Sequence, residues 1–195
     1  FKIGYANRTL GNQLPERNRS TGAAIRERLT KTGVYRESGH EHFTGAVVFP
    51  IFGESGQVTE IYGRKIIDNL REGTAYHLYL PGHHEGIFNL EAVKTSKEII
   101  LCEAIIDALS FWNAGFHNVT ASYGVNGFTP DHLEAFRKNG VERVFIAYDR
   151  DDAGESAAER LSRELIAEGF ECLRILFPRG MDANEYGLKV KPPSK

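Results

Sequence analysis

Hydrophobic and polar positions follow one rule before residue 95 and another after it. In the first part apolar runs are few and interrupted. Ala23, Ala24, Ile25 and Leu29 recur at helical spacing between Thr21 and Gly33, which predicts a helix capped by Thr21 with Arg26, Arg28 and Lys31 on its outer face. The residues before it read as loop. From Ala46 the pattern becomes Val-Val-Phe-Pro-Ile-Phe, then Gly53-Glu-Ser-Gly56, then Val58-Thr-Glu-Ile-Tyr-Gly63, predicting two strands of an antiparallel hairpin. Residues 68–95, punctuated by Gly73, Pro81, Gly82 and Gly86, read as irregular.

Beyond residue 95 the apolar runs 99–102, 119–121, 143–148 and 171–177 alternate with helical segments 105–114, 130–139 and 153–168. Strands alternating with helices of this length imply right-handed crossovers and a parallel sheet covered on both faces. The fold class is therefore α/β, or α+β overall once the hairpin lobe is included. Ligands of such parallel sheets sit at the carboxyl ends of the strands.

Composition narrows the class. With 195 residues, 41% hydrophobic and 26% charged, the chain is an ordinary folded enzyme or binding domain and not a disordered tract. Its apolar runs fall short of the ~20 residues of a membrane span, so no membrane partner and a cytoplasmic address are expected. Cys102 and Cys172, far apart within apolar runs, read as reduced core residues. The net charge of −2 conceals an asymmetry: residues 1–40 hold 8 Lys/Arg against 3 Asp/Glu, while residues 96–195 hold 12 against 16. A basic segment followed by an acidic one suggests a polyanion partner for the former and metal ions for the latter. Because the chain opens at Phe1, it reads as a piece of something longer.

The chemistry concentrates where strands are expected to end. Glu103 follows the first run of the parallel sheet, and Asp107 stands one helical turn later on the same face, where two like charges cost stability unless a cation joins them. The run ending at Tyr148 empties into Asp149-Arg-Asp151-Asp152-Ala-Gly154. Helix capping accounts for Asp152 but not for Asp149, whereas Asp149 and Asp151 together suit a hard cation such as Mg²⁺. After the fourth run come Asp182 and Asn184, so acids behind three separate strands converge on one edge.

The order Cys102-Glu103-Ala-Ile-Ile-Asp107, Ala121-Ser-Tyr-Gly124, Tyr148-Asp149-Arg-Asp151-Asp-Ala-Gly154 and Pro178-Arg-Gly-Met-Asp182-Ala-Asn184 resembles the TOPRIM domain of bacterial primases, topoisomerases and some nucleases. Upstream, Gly4-Tyr5-Ala6, Val48-Phe49-Pro50-Ile51 and Gly63-Arg64 resemble the basic lobe that precedes TOPRIM in DnaG-type primases. The resemblance implies a basic mixed lobe over 1–95 with the antiparallel hairpin, a TOPRIM domain with a Rossmann-like parallel sheet over 96–184, and a tail over 185–195. It implies metal-binding acids at Glu103, Asp107, Asp149, Asp151 and Asp182, with Glu103, Asp149 and Asp151 catalytic, and Mg²⁺ or Mn²⁺ as cofactor. Asn184 stands where the primase pattern has another Asp, and Ala104 where it has Gly. Arg64 matches an arginine that faces nucleotide or template.

The implied activity is synthesis of short RNA primers on single-stranded DNA from nucleoside triphosphates, with a replicative helicase as a partner through regions outside this chain. Arg26, Arg28 and Lys31, in a cluster with few acids, are candidates for template phosphates. Where primases tend to have lysines the segment 76–86 has His77, His83 and His84, which supply less attraction for phosphate at pH 7. Two other readings stay open: a TOPRIM nuclease in which similar metals activate water, and a catalytically degenerate protein that only binds DNA. His40, His42, His83 and His84 read as exposed loop residues and not a zinc site, since no cysteine pair accompanies them. Phe43, Tyr62 and Tyr76 are candidates for base stacking or for core.

Overall fold

The computed structural model describes residues 1–67 and 69–190. It divides into two compact units, one formed by residues 1–51 and 57–84 and the other by 52–56 and 85–195. The final residues of the expected tail, 191–195, lie outside the described ones.

The first unit is built on a four-stranded sheet in the order β1-β2-β3-β4, where β1 is Gly4–Tyr5, β2 Ala46–Phe52, β3 Val58–Lys65 and β4 His77–Leu78. Strands β2 and β3 form the expected hairpin around residues 53–57, with Gly56 at a φ of 78° where a side chain would be strained. Strands β2 and β3 bury Ala46, Phe49, Ile51, Glu60 and Tyr62. The helix α1 (Leu10–Gln13) precedes α2 (Ser20–Lys31). Thr21 is not its cap: Arg19 occupies that position, because Gly22 must enter the first turn against the carbonyl of Glu16, where a Cβ would sit 2.1 Å away. The first segment also holds β1 and α1 where loop was expected, since both are held by tertiary pairing and are too short to carry a period.

The second unit alternates strictly. Helix α3 (Leu90–Thr95) leads into β5 (Glu98–Cys102), α4 (Ile105–Asn113), β6 (Val119–Ala121), α5 (Pro130–Lys138), β7 (Arg143–Ala147), α6 (Asp152–Ala167), β8 (Glu171–Arg174) and α7 (Ala183–Lys189). The sheet is parallel throughout, in the order β6-β5-β7-β8. Residues 68–95, expected to be irregular, therefore contain β4 and α3, the latter short and recognisable only by the burial of Leu90, Ala92 and Val93. Central β5 has four consecutive buried residues, as a strand covered on both faces requires. Ile99, Leu101, Val144, Ile146, Phe136, Leu161 and Leu165 anchor one continuous core. Cys102 is buried and Cys172 half-buried, both as free thiols.

Helix α5 starts on a capping box. The ring of buried His132 accepts at Nδ1 from the Thr129 amide (3.1 Å) and hydroxyl (2.7 Å), while Nε2 donates to the Ala121 carbonyl at 3.1 Å. That pattern requires the neutral ring, and burial pushes its pKa down to about 4. Among the described residues no helix is long and apolar enough to cross a membrane.

Candidate functional site

The parallel register decides which residues meet. Cys102 lies opposite Ala121 on one side and Ala147 on the other, so Glu103, Ser122 and Tyr148 leave the sheet at one level of its carboxyl edge. Asp149 is one residue further. Backbone ties hold these turns: Ser122 N–H donates to the Cys102 carbonyl at 2.9 Å and Gly124 N–H to the Glu103 carbonyl at 3.0 Å. The buried Tyr148 hydroxyl donates to Ser122 Oγ at 2.9 Å.

After β7 the chain turns sharply into α6. A Cβ on Gly154 would lie 2.3 Å from the Asp149 carbonyl oxygen, so only glycine allows the helix to begin this close to the strand end. Asp151 is the N-cap and accepts from the Gly154 amide at 2.7 Å. The expectation that Asp152 supplies the cap is corrected: Asp152 is the first helical residue, fully exposed and 3.7 Å from Arg179.

Asp182 arrives from the loop after β8. Arg150, between the two aspartates, stitches that loop to the β7 turn: its amide donates to Met181 O (3.2 Å), its carbonyl accepts from Gly180 N–H (2.9 Å) and its Nη1 donates to Phe177 O (2.8 Å). Asp182 then caps α7, accepting from the Glu185 amide at 2.6 Å. The amide of Asn184 donates to Asp107 Oδ1 at 3.2 Å, while its side-chain Nδ2 donates to Ser110 Oγ at 3.0 Å. Asn184 is thus turned toward helix α4.

The five acids interact as one group. Burial first, then the charge of Asp149, pushes the Glu103 carboxyl up to about 7. Burial, then Asp149 and Asp182, does the same for Asp107, also about 7. Burial, then Asp182 and Asp151, raises Asp149 to about 6. One oxygen of Glu103 and one of Asp149 are buried with no hydrogen-bond partner. Such orphaned anionic oxygens are costly, and their donor chemistry, all carboxylate oxygen, fits a hard divalent cation. Among the described residues no three acidic, histidine or cysteine side chains are drawn into a closed coordination shell, so the group is an electrostatic cluster and not a finished metal cage.

One cation of the chain itself faces this cluster. Arg174, at the end of β8, donates through Nη1 to Ile146 O (3.0 Å) and through Nη2 to Tyr148 O (2.9 Å) and Asp149 O (3.3 Å). It braces the backbone that carries Asp149. Sequence reading overlooked Arg174 and Arg150 because both act on backbone carbonyls, which leave no trace in residue patterning.

The basic candidates all belong to the first unit. Arg26 donates to the carbonyls of Pro15, Gly22 and Gly11, which makes it a brace for the segment entering α2. Arg28 is exposed, and Lys31 is exposed and paired with Glu27 at 2.8 Å. Arg64 donates to His77 Nε2 at 2.5 Å and lies over the Tyr76 ring, 5.3 Å from its centroid. The histidines are not all idle loop residues. His42 bonds the Tyr79 carbonyl, and His84 Nδ1 bonds the carboxylate of Glu60, a buried acid that sequence reading did not single out and that also accepts the Leu80 amide. Phe43 and Tyr62 are core residues, whereas Tyr76 is exposed.

Residues 100–187 match the family model described as Toprim-like. The DNA primase of Helicobacter pylori strain J99 is 29% identical over 174 residues, covering 80% of this chain and 30% of the relative. The Aquifex aeolicus primase structure comprising zinc-binding and RNA polymerase domains superposes with a TM-score of 0.75 at 26% identity, over 95% of this chain and 47% of that one. A DnaG primase catalytic domain solved with single-stranded DNA shares the fold, with a TM-score of 0.72 at 22% identity over 94% of this chain and 62% of that one. The chain spans about a third of the length of the curated primases it matches. The acids at the strand ends, the turn forced by Gly154 and these likenesses agree: residues 100–187 form a Toprim-like domain, and the chain is similar to the catalytic core of bacterial DnaG-type DNA primases.

Proposed function

We propose that this chain is the nucleotidyl-transfer core of a primase, making short RNA primers on single-stranded DNA, and that it works in the cytoplasm. The observation that carries the reading is the cluster of Glu103, Asp107, Asp149, Asp151 and Asp182, with its two buried orphan oxygens, on the carboxyl edge of a Toprim-like sheet. Glu103, Asp149 and Asp151 are the catalytic acids of the proposal, with Asp107 and Asp182 completing the set that would hold Mg²⁺ or Mn²⁺. When bound, such a cation supplies charge neutralisation to a triphosphate and to the leaving pyrophosphate. The chain's own residues fix the geometry: Gly154 and Arg174 hold Asp149 at the strand end, Arg150 holds the Asp182 loop beside it, and Asp151 and Asp182 stay aligned by capping their helices.

In the proposed domain division the basic lobe is residues 1–95, and it would hold template through Arg28 and Lys31, with Arg64 facing nucleotide or template. Arg26 serves chiefly to shape that surface. A replicative helicase is proposed as a partner of other regions of the protein. A primer-synthesis assay with labelled nucleotides, a single-stranded template and Mg²⁺ or Mn²⁺ tests the reading. Product that disappears in Asp149→Asn is expected, and nicking of DNA without nucleotides would favour a nuclease instead. A binding-only protein is the second reading, favoured by Asn184, whose amide nitrogen is directed at Ser110 in a position where primases supply another carboxylate. It predicts template binding with no product under any divalent metal.

A further inference from the structure

Arg64 and His77 are direct cross-strand partners, Arg64 on β3 opposite His77 on the short terminal strand β4. Both ring nitrogens of His77 are engaged: Nε2 lies 2.5 Å from Arg64 Nη1 and Nδ1 lies 2.9 Å from the Tyr62 hydroxyl. An arginine only donates, so Nε2 must accept and the ring's single proton must sit on Nδ1, directed at the Tyr62 oxygen. The residue as a whole is exposed, yet its ring packs 5.8 Å from that of buried Tyr62. Desolvation there, and next the Arg64 charge, hold its pKa below the ordinary value and keep it neutral. On its other side the guanidinium covers the exposed Tyr76 ring, and it makes no further hydrogen bond among the described residues. Arg64 is therefore held at two points, by an acceptor and by an aromatic face, with most of its donors uncommitted.

We propose that His77 is a positioning residue, whose unprotonated Nε2 and Tyr62-anchored ring hold Arg64 in place so that its remaining N–H donors meet a phosphate oxyanion. The inference rests on the proposed function for the identity of that phosphate, which comes either from the template backbone or from a nucleoside triphosphate. A lysine at this position would add a charge but repel Arg64. The histidine instead trades a second cation for a fixed one.

The test uses the whole chain in two measurements. Nitrogen NMR of His77 should show the Nδ1–H tautomer at pH 7, and an Nε2–H ring would overturn the inference irrespective of any ligand. Binding of a labelled oligothymidylate and, separately, of a fluorescent non-hydrolysable ATP with Mg²⁺ is then measured for R64A, H77A, H77Q, H77K and R64A/H77A, each first checked for a native melt. For whichever ligand Arg64 serves, R64A and H77A should each weaken binding by roughly tenfold, the scale of a hydrogen bond to a charged group. The double variant should be no weaker than R64A alone. H77Q, whose amide oxygen can replace Nε2 as acceptor, should restore most of the affinity, and H77K should not. Additive losses, or tighter binding by H77K, would show that His77 acts independently of Arg64. Wild-type binding that R64A leaves unchanged for both ligands overturns this inference alone, whereas a wild type that binds neither ligand overturns the proposed function together with it.

Discussion

The carboxylate of Asp151 accepts the amide of Gly154 at 2.7 Å, and the same Gly154 stands so close to Asp149 that a Cβ would fall 2.3 Å from its carbonyl oxygen. One turn thus fixes two acids at once. Asp151→Asn keeps an acceptor at the cap and removes a like charge, so its stability should match or exceed the wild type. Asp151→Ala should lose about 1 kcal/mol, the usual cost of an N-cap. Gly154→Ala should cost more than either, because backbone must move, and it should shift the amide resonances of residues 148–150. Urea melts of the three variants check the order, and a Gly154→Ala protein as stable as wild type would mean that the turn tolerates a wider approach.

The cluster's self-repulsion sets the response to divalent cations. Buried Asp107 and half-buried Glu103 and Asp149 resist ionisation, and a bound cation removes that resistance. Mg²⁺ or Mn²⁺ at about ten times its dissociation constant should stabilise the fold by about 1.4 kcal/mol, raising the melting temperature by a few degrees. Asp149→Asn should melt higher than wild type without metal, because it neutralises an orphaned buried oxygen, and should lose the metal-induced rise. A melting temperature indifferent to millimolar cation in the wild type would remove the metal assignment.

Arg174 makes the opposite prediction. Replacing it by Met leaves the carbonyls of Tyr148 and Asp149 without the Arg174 donor and that of Ile146 with the Ile175 amide alone, and takes a positive charge from beside the acids. A loss of roughly 2–4 kcal/mol is expected, the range for breaking a buried charged hydrogen-bond network. Part of that loss should return on adding Mg²⁺, since the cation supplies the missing charge but not the carbonyl bonds. Chemical denaturation with and without Mg²⁺ separates the two contributions, and a Met variant that gains no more from Mg²⁺ than wild type would show that Arg174 acts through the backbone alone.

How much of this was legible in the sequence depended on length and on register. The hairpin and the alternation from β5 to β8 were readable because their apolar runs persist through several residues and are bounded by glycines. The strands β1 and β4, two residues each, and the helix α3 were not, since pairing and burial created by the rest of the fold select them and no period announces them. The acids were singled out by the rule that parallel sheets present ligands at their carboxyl ends, and the strand-end turns carry Glu103 and Asp149 there. Which acid capped α6 was misread by one residue, because both Asp151 and Asp152 suit an N-cap and only the approach of Gly154 decides between them. Glu60 escaped notice since it sits within a strand, and its burial is explained by the amides of Ile61 and Leu80 and the ring of His84.

The pH dependence of stability carries a signature of His132. Its folded pKa of about 4 lies below the ordinary 6.5, so its neutral form contributes fully above pH 6.5, and stability is lost as pH falls from there toward 4. At pH 5 the loss should be about 2 kcal/mol. The raised pKa values of Glu103, Asp107 and Asp149 act in the opposite sense, since such groups favour the folded state as pH falls, so the raw curve mixes the two. His132→Gln isolates the histidine: its amide can accept from Thr129 and donate to Ala121 without titrating. The stability difference between wild type and His132→Gln should therefore shift by about 2 kcal/mol against the wild type between pH 7.5 and 5. A difference that stays constant across this range would mean that the ring is not held neutral.

The two arginines of α2 should behave differently although they stand two residues apart. Arg28 projects from the helix into solvent, so Arg28→Ala should leave the melting temperature within a degree or two and weaken single-stranded DNA binding at low salt. If it contacts one phosphate, the log–log salt slope should fall by about 0.7, the counterion release of a single contact on a single strand. Arg26 joins the carbonyls of Gly11, Pro15 and Gly22, so Arg26→Ala should first destabilise the segment entering the helix, by about 1–3 kcal/mol for donors lost from a charged group. Its effect on DNA should then appear mainly as weaker binding with a nearly unchanged salt slope, because shape is lost and not a phosphate contact. Fluorescence anisotropy over a salt series, beside melts of both variants, distinguishes the roles. An Arg26→Ala protein that melts normally but shows the reduced slope would place Arg26 on the template, and an Arg28→Ala protein with an unaltered slope would move the DNA away from this helix.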